Sequence, residues 1–291
     1  MIREQINQLI EEITRSYPQE DIFEARKVYQ KMSGEVFEDD KSYESRVGCF
    51  LEWYTFDRPF PETSTTPLLG FLEEPDDSLS PEKQELVEAL TQNIHGLFMA
   101  KKIKTDSVTL LEVFDDIKYQ VHETQGAMLF NTEDVFEARL IPYRGQYYFT
   151  EHFCYHPKPT VKFILAKVKA LKGTEAVDLK REKQLEKELV PPQKVLKKIT
   201  AKIQKLKSKL EGATKENKIA ALKEEIAGLE NQSLDLENQI LSLNEQLNQL
   251  RTVTIQGEHR RNRFNLMRKL SYMSLKWERS RQIDIQDIYQ D

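Results

Sequence analysis

The chain has 291 residues, of which 31% are charged and 39% hydrophobic, so it can bury a core and hold two domains. No apolar run approaches the roughly 18 residues that span a bilayer, which excludes a membrane-spanning protein. The N-terminus lacks the segments of a signal peptide. The chain has only two cysteines, Cys49 and Cys154, which is too few for a disulfide framework. We therefore expect a cytoplasmic protein.

Charge is unevenly divided along the chain. Residues 1–157 carry 30 acidic and 15 basic side chains, whereas residues 158–251 carry 13 acidic and 20 basic ones. Residues 252–291 are also basic, with eight Lys or Arg against five acids. Two interpretations follow: the halves attract each other, or the basic half binds an external polyanion.

Helical spacing of apolar residues predicts a helical N-terminal region. The predicted helices span residues 1–16, 19–32, 41–56, 66–72 and 80–95. From Gly96 the apolar period changes to two, which is typical of strands. The predicted strands are Leu97–Ile103, Val108–Phe114, Ile117–Glu123, Ala127–Asn131, Val135–Tyr143 and Gln146–Tyr155. Short strands with tight turns predict a small antiparallel sheet or barrel of the SH3-like or OB-like type.

Helical spacing returns after residue 157 and predicts a helical connector. Gly173-Thr174 predicts a joint in it, and Pro191-Pro192 predicts that the following helix opens or kinks there.

Two long runs of leucine and isoleucine then alternate at spacings of four and three, the pattern of a coiled coil. Leu185 and Leu189 begin the first run, and Leu247 and Leu250 end the second. The predicted interaction residues between them are Leu196, Ile199, Ile203, Leu206, Leu210, Ile219, Leu222, Ile226, Leu229, Leu236, Ile240 and Leu243.

The second run is offset from the first by two residues, which predicts a turn at residues 211–217. Gly212 and Thr214 suit a helix end and a helix start. The first arm is basic and the second acidic, which favours an antiparallel hairpin within one chain. The alternative is one long helix that pairs with another molecule.

Helical spacing of apolar residues in the C-terminal region predicts a basic helix at about 258–281. Met267, Leu270, Met273 and Trp277 lie on one side of it, which we expect to pack back on the head. The tail Ile283–Tyr289 alternates and predicts an edge strand. The predicted class is α+β, and the predicted domains are a head (1–157), a helical connector (158–190), a coiled-coil hairpin (191–251) and a C-terminal helix with tail (252–291).

His152, Cys154 and His156 alternate on a predicted strand and are the candidate metal ligands. Successive same-face positions lie roughly 7 Å apart, which strains a shared tetrahedron and favours ordinary packing. The sequence predicts no cofactor.

The acidic residues Glu38, Asp39, Asp40 and Glu44 suit a helix start better than acid–base catalysis. Asp57 and Arg58 predict a local ion pair that fixes a turn.

Clustered positive charge is the candidate contact for a polyanion. The candidate residues are Lys194, Lys197, Lys198, Lys202, Arg260, Arg261 and Arg263. Neither a nucleic-acid recognition motif nor a phosphate-binding loop accompanies them, so pairing with the acidic arm and the acidic head is the favoured interpretation.

The segment Phe50–Pro59, together with Thr66-Pro67-Leu68, Phe71-Leu72 and Glu137–Leu140, resembles uncharacterised bacterial cytoplasmic proteins over about residues 40–145. The resemblance implies a bacterial source and a domain of helices with a small sheet, and it brings no activity with it. The hairpin lies outside it.

The leading hypothesis is a scaffold or adaptor without enzymatic activity, which binds a protein partner or forms a homodimer through the coiled coil. The alternatives are a nucleic-acid-associated protein that uses the basic arm, and a head that binds a metal or catalyses a reaction.

Overall fold

The computed structural model describes residues 2–60, 65–73, 80–280 and 282–290. The chain divides into two compact units. The first, called the head, comprises Met1–Ala170 and Arg263–Asp291; the second, called the hairpin unit, comprises Leu171–Asn262. The predicted α+β class is confirmed, since the head combines helices with a sheet.

Short amphipathic helices form the first part of the head. They are α1 (Ile2–Arg15), α2 (Gln19–Ser33), α3 (Tyr43–Phe56), α4 (Pro67–Glu73) and α5 (Pro81–Thr91). Their ends follow local chemistry: the Ser80 hydroxyl accepts a hydrogen bond from the Lys83 amide at the start of α5. Gly34 ends α2 with a φ of 89°, which a side chain would disfavour.

The strands of the described chain close into a small barrel. They are β1 (Ile94–Ile103), β2 (Ser107–Glu112), β3 (Ile117–His122), β4 (Val135–Tyr143), β5 (Gln146–Phe149) and β6 (Cys154–His156). The order is β1-β2-β3-β5-β4, and β4 also pairs with β1, which closes the ring; β6 adds to β4 outside it. Within the described residues, β3 and β5 pair at one position, Val121 with Tyr147.

Strand β4 is buried on both faces. Phe136, Ala138 and Leu140 point into the barrel core, while Ile141 and Tyr143 pack against the helices. The helix-facing side also carries Glu137 and Arg139, two charged residues in a strand that is otherwise apolar.

Two strand predictions are wrong in detail. Residues 127–131 do not form a strand, because Gly126–Leu129 is a single helical turn (α6) in which the Phe130 amide donates to the Gly126 carbonyl at 2.9 Å. A short apolar run such as this one has no period that separates helix from strand. The predicted strand 146–155 is divided into β5 and β6 by the irregular residues 150–153.

Helix α7 runs from Val161 to Glu211 without a break, after the short 3₁₀ turn Lys158–Thr160. The joint predicted at Gly173-Thr174 is therefore wrong, as is a helix opening at Pro191-Pro192, while the alternative of a kink there stays a prediction. Most helical stability in proteins comes from packing rather than from local propensity. Leu189 before the prolines and Ile199 after them are buried, so packing holds the helix on both sides.

The hairpin unit contains the distal part of α7 and helix α8 (Glu216–Gln249). Residues 212–215 separate the two helices, and apolar side chains from both form two clusters. Because Leu206 clusters with residues near the start of α8 and Leu185 with residues near its end, the two helices are antiparallel. The predicted helical hairpin is thus confirmed.

A π-helical segment, Leu250–His259, leads from α8 into α9 (Arg260–Arg279). Met267, Leu270 and Met273 are buried in the head, which confirms that the C-terminal helix packs back on it, whereas Trp277 is half-buried. The predicted edge strand at 283–289 is wrong: Ile285–Ile288 is a helical turn (α10), capped by the Asp284 side chain. Across the described ranges, no helix is both long and apolar enough to cross a membrane.

Candidate functional site

The predicted interaction residues form the contact between α7 and α8, which we call the seam. One cluster contains Ile199, Ile203, Leu206, Leu210, Leu222, Ile226, Leu229 and Leu236, and a second contains Ile240 and Leu243 beside Leu185, Leu189, Leu247 and Leu250. Leu196 and Ile219 are half-buried. The seam is therefore occupied by contacts within the chain.

Helix α8 carries a second apolar row, which we call the outer stripe: Ala220, Ala227, Leu234 and Leu241. Each follows a seam position by one residue, so the stripe is turned about 100° from that row of the seam. Leu234 is 55% exposed and Leu241 is 57% exposed, and both alanines are exposed as well. The stripe is absent from the sequence-based predictions, although its seven-residue spacing is visible in the sequence.

Charged side chains border the seam and the outer stripe. Lys202 pairs with Glu225 at 2.8 Å, and Lys207 pairs with Glu230 at 2.7 Å. These exposed pairs each contribute little to stability, but they show that the basic and acidic arms face each other as predicted. Lys223 and Glu237 are exposed beside the stripe.

Two of the candidate polyanion residues have carboxylate partners. Lys202 is paired with Glu225, and Arg263 pairs with Asp115 at 2.8 Å while it lies over the Phe114 ring. The remaining candidates are exposed: Lys194, Lys197, Lys198, Arg260 and Arg261.

The candidate metal ligands have separate neighbours. Cys154 lies 3.5 Å from the Ser271 hydroxyl, and His156 Nδ1 lies 3.4 Å from the Tyr289 hydroxyl. Burial and the Arg46 charge lower the pKa of His156 to about 3, so its ring is neutral at ordinary pH. Within the described residues, no three His, Cys, Asp or Glu side chains are grouped to hold a metal ion.

His152 lies before β6 rather than on it, so the predicted alternation of all three residues on one strand is wrong. Its ring packs against Gly48 of α3, where a Cβ atom would stand 2.1 Å from the ring. Burial lowers the pKa of His152. Gly48 therefore permits a close helix–loop contact that alanine would block.

The acidic residues near α3 hold the C-terminal helix. Arg279 donates to both carboxylate oxygens of Asp40, at 2.7 and 2.6 Å, and to the Glu35 carbonyl. The hydrogen bond from Arg279 lowers the pKa of Asp40. Glu278 accepts from the amide and hydroxyl of Ser42, just before α3. Glu38, Asp39 and Glu44 are exposed.

Aromatic side chains line an open groove of about 520 Å³ in the head. Its walls include Tyr155, His156, Trp277, Lys41 and Glu278. The groove offers both charges and an aromatic surface, and it accounts for the partial exposure of Trp277.

A buried ionic cluster, which the sequence did not predict, lies between β4 and the helices. Arg268 of α9 donates to Glu137 of β4 and to the Tyr29 hydroxyl of α2. The same Glu137 oxygen lies 2.7 Å from His95 Nε2. Arg268 and Glu137 are 2% and 3% exposed, so this ion pair is almost fully removed from water.

Arg139 forms the second half of the cluster. It donates to Asn93 and to Asp57, and its Nε lies 3.7 Å from a Glu52 oxygen. Asp57 thus pairs with Arg139, whereas Arg58 makes two 2.8 Å hydrogen bonds to Asp21. The predicted role of Asp57 and Arg58 as a mutual turn-fixing pair is therefore replaced by two longer-range contacts.

Burial raises the pKa of Glu52 to about 7, against the opposing charge of Arg139. A carboxyl group with such a pKa could transfer protons in a catalytic site. Its neighbours join α2, α3, β1, β4 and α9 through side chains that contact each other. The cluster's evident effect is to fix the C-terminal helix on the barrel.

The signal for the cluster was present in the segment Phe136-Glu137-Ala138-Arg139-Leu140. Charged residues in a strand buried on both faces require partners, because an unpaired buried charge is strongly unfavourable. The partner Arg268 lies 131 positions further along the chain, and no local pattern indicates it.

The comparison with curated proteins and that with solved structures found no match. The model of a family of unknown function, DUF7986, matches residues 1–187, which include the barrel, the N-terminal helices and the first part of α7. The match confirms the expected resemblance to proteins of unknown function and extends it beyond residues 40–145. The chain belongs to the DUF7986 family.

Proposed function

We propose that this protein is a non-enzymatic scaffold or adaptor, which binds other protein chains through the outer surface of its helical hairpin. The observation that carries the proposal is the outer stripe of α8, where Leu234 and Leu241 are more than half exposed. Exposed apolar residues in a regular row mark interaction surfaces more often than isolated ones do. A helix with such a row is suited to docking against another helix.

The remaining features of the chain fit this proposal. The head supplies a rigid module with its own groove, and its C-terminal helix is fixed by buried ion pairs. Cys49 and Cys154 are free thiols, which supports a location in the reducing cytoplasm.

Nucleic-acid association is the competing hypothesis. The exposed Lys194, Lys197 and Lys198 favour it, whereas the carboxylate partners of Lys202 and Arg263 oppose it. Binding of a nucleic acid would weaken steeply with salt, because phosphate contacts release counterions. A gel shift at two salt concentrations separates the two hypotheses.

Affinity capture from the source cells tests the scaffold role. The bait is the full chain, and the comparison is the double variant Leu234→Glu/Leu241→Glu, which places carboxylates in the outer stripe and leaves the seam residues unchanged. We expect a defined set of proteins to be captured by the full chain and lost with the double variant. Equal capture by both would contradict the proposal.

A further inference from the structure

The outer stripe of α8 is self-complementary. Two small residues, Ala220 and Ala227, are followed at the same spacing by two large ones, Leu234 and Leu241. When a second α8 lies antiparallel to the first, with a twofold axis between positions 230 and 231, each alanine faces a leucine. Ala220 then meets Leu241 of the second copy, and Ala227 meets Leu234.

We propose that two copies of this chain pair through the outer stripe in this antiparallel arrangement. The inference rests on the proposed function and identifies one partner of the hairpin surface as a second copy of the chain. An interface with twofold symmetry brings the same patch of both subunits together, so it requires a patch that complements itself. Alternating small and large side chains across the contact let the helices approach closely and fill the space between them.

The geometry of the stripe suits such a pairing. A seven-residue spacing drifts by about 20° per heptad around a straight helix, and two helices accommodate this drift by crossing at about 20°. The four residues span three heptads, a contact about 32 Å long at 1.5 Å per residue.

Charges beside the stripe fit the antiparallel direction. Lys223 and Glu237 lie three residues after Ala220 and Leu234, and hence on the same side of the stripe. In the antiparallel pair, each Lys223 faces Glu237 of the other copy. A parallel pair in register would instead place Ala220 against Ala220 and Leu234 against Leu234, so small and large side chains would no longer alternate across the contact.

Two further contacts are compatible with this arrangement. Glu237 accepts a 3.0 Å hydrogen bond from Ser233 on its own helix, which leaves carboxylate capacity for Lys223 of the second copy. Glu230 would meet its counterpart near the twofold axis, but each Glu230 is already paired with Lys207 of its own α7. The like charges at the axis are therefore balanced.

Sedimentation equilibrium of the full chain tests the proposal, from about 1 µM to about 200 µM, a range that covers weak and standard interfaces. We expect a reversible dimer. Leu234→Glu and Leu241→Glu should each weaken it at least about tenfold, because they place a carboxylate against an apolar surface. Val195→Glu is the matched control: Val195 is 41% exposed on α7, outside the stripe, so this variant should dimerise normally.

A charge exchange tests the direction of pairing. Lys223→Glu alone and Glu237→Lys alone should weaken the dimer, and the double variant should restore it. A mixture of the two single variants should form the heterodimer, because opposite charges then meet at both ends of the contact. Circular dichroism of each variant checks that the helices remain folded.

A chain that stays monomeric over the whole range overturns the inference, as does a dimer that is insensitive to Leu234→Glu. Neither result decides the scaffold role, which depends on capture of other proteins by the unmodified chain. Conversely, a dimer that depends on the stripe, together with equal capture by the unmodified chain and by Leu234→Glu/Leu241→Glu, would retain the inference and remove the scaffold role.

Discussion

The head and the hairpin unit bury their apolar side chains to different depths. In the barrel, Phe136 and Leu140 have no exposed surface, whereas the buried seam residues retain between 2% (Leu185) and 9% (Ile203). Two packed helices cannot enclose their contact, while a closed barrel covered by helices can. The head is thus specified by contacts between distant residues, and the hairpin by a local repeat.

Substitutions in the buried ionic cluster of the head should change the free energy of unfolding most, because the head buries its side chains more completely than the hairpin unit does. Arg268→Met removes one partner of a buried pair and leaves Glu137 in the head interior, which should lower the free energy of unfolding by about 3–5 kcal/mol. Arg144→Met is the matched control, because the Arg144–Glu85 pair is exposed and should contribute less than about 1 kcal/mol.

Tryptophan fluorescence during denaturation measures this effect, since Trp53 and Trp277 both belong to the head. The double variant Arg268→Met/Glu137→Gln should recover part of the loss. Equal effects of the Arg268 and Arg144 substitutions would contradict a stabilising role for the cluster.

Large-to-small substitutions test the difference in burial directly. Leu140→Ala creates a cavity in a fully buried site and should cost about 2–5 kcal/mol. Leu236→Ala, in the half-buried seam, should cost about 1 kcal/mol, because less apolar surface returns to water. Fluorescence follows the first variant and far-ultraviolet circular dichroism the second. A seam cost as large as the barrel cost would mean that the hairpin is packed as tightly as the head.

The pH dependence of stability should be specific to the head. The folded state raises the pKa of Glu52 from 4.5 to about 7, so its contribution is fully present below pH 4.5 and is lost as the pH rises to 7. Glu52→Gln cannot titrate. Its stability relative to the unmodified chain should therefore rise by about 2–3 kcal/mol between pH 5 and pH 8.

Guanidinium denaturation of both chains at the two pH values measures this change. Effects of other titrating groups, including His156, act on both chains and cancel in the difference. A difference that stays constant with pH would show that Glu52 titrates normally.

The smallest expected effect lies on the hairpin surface. Lys202→Gln breaks the exposed pair with Glu225 and should change stability by less than about 0.5 kcal/mol, and by less still at high salt. Thermal melting followed by circular dichroism at two salt concentrations is sufficient. A loss of more than about 1 kcal/mol would indicate that the charges, and not the seam, hold the arms together.

Local patterns were sufficient for some parts of the molecule and not for others. The heptads, with Gly212 in the turn, gave the hairpin and its seam, because each contact there follows from spacing along one helix. Most strands followed from their period of two. The partners of Arg139 and Arg268 could not be predicted, because they depend on which distant elements the barrel brings together. The continuity of α7 through Pro191-Pro192 could not be predicted either, since packing overrode the local preference.

The closure of the barrel at Val121 and Tyr147 determines where the barrel should open first during thermal fluctuations. The other junctions of the ring are held by four to six residue pairs. Thermal opening should therefore begin between β3 and β5. The rings of Tyr119 and Tyr147 also stabilise this junction, since they pack edge to face with their centroids 5.1 Å apart. Once β3 and β5 separate, the barrel becomes an open sheet with two unpaired edge strands, to which a strand of another molecule can add.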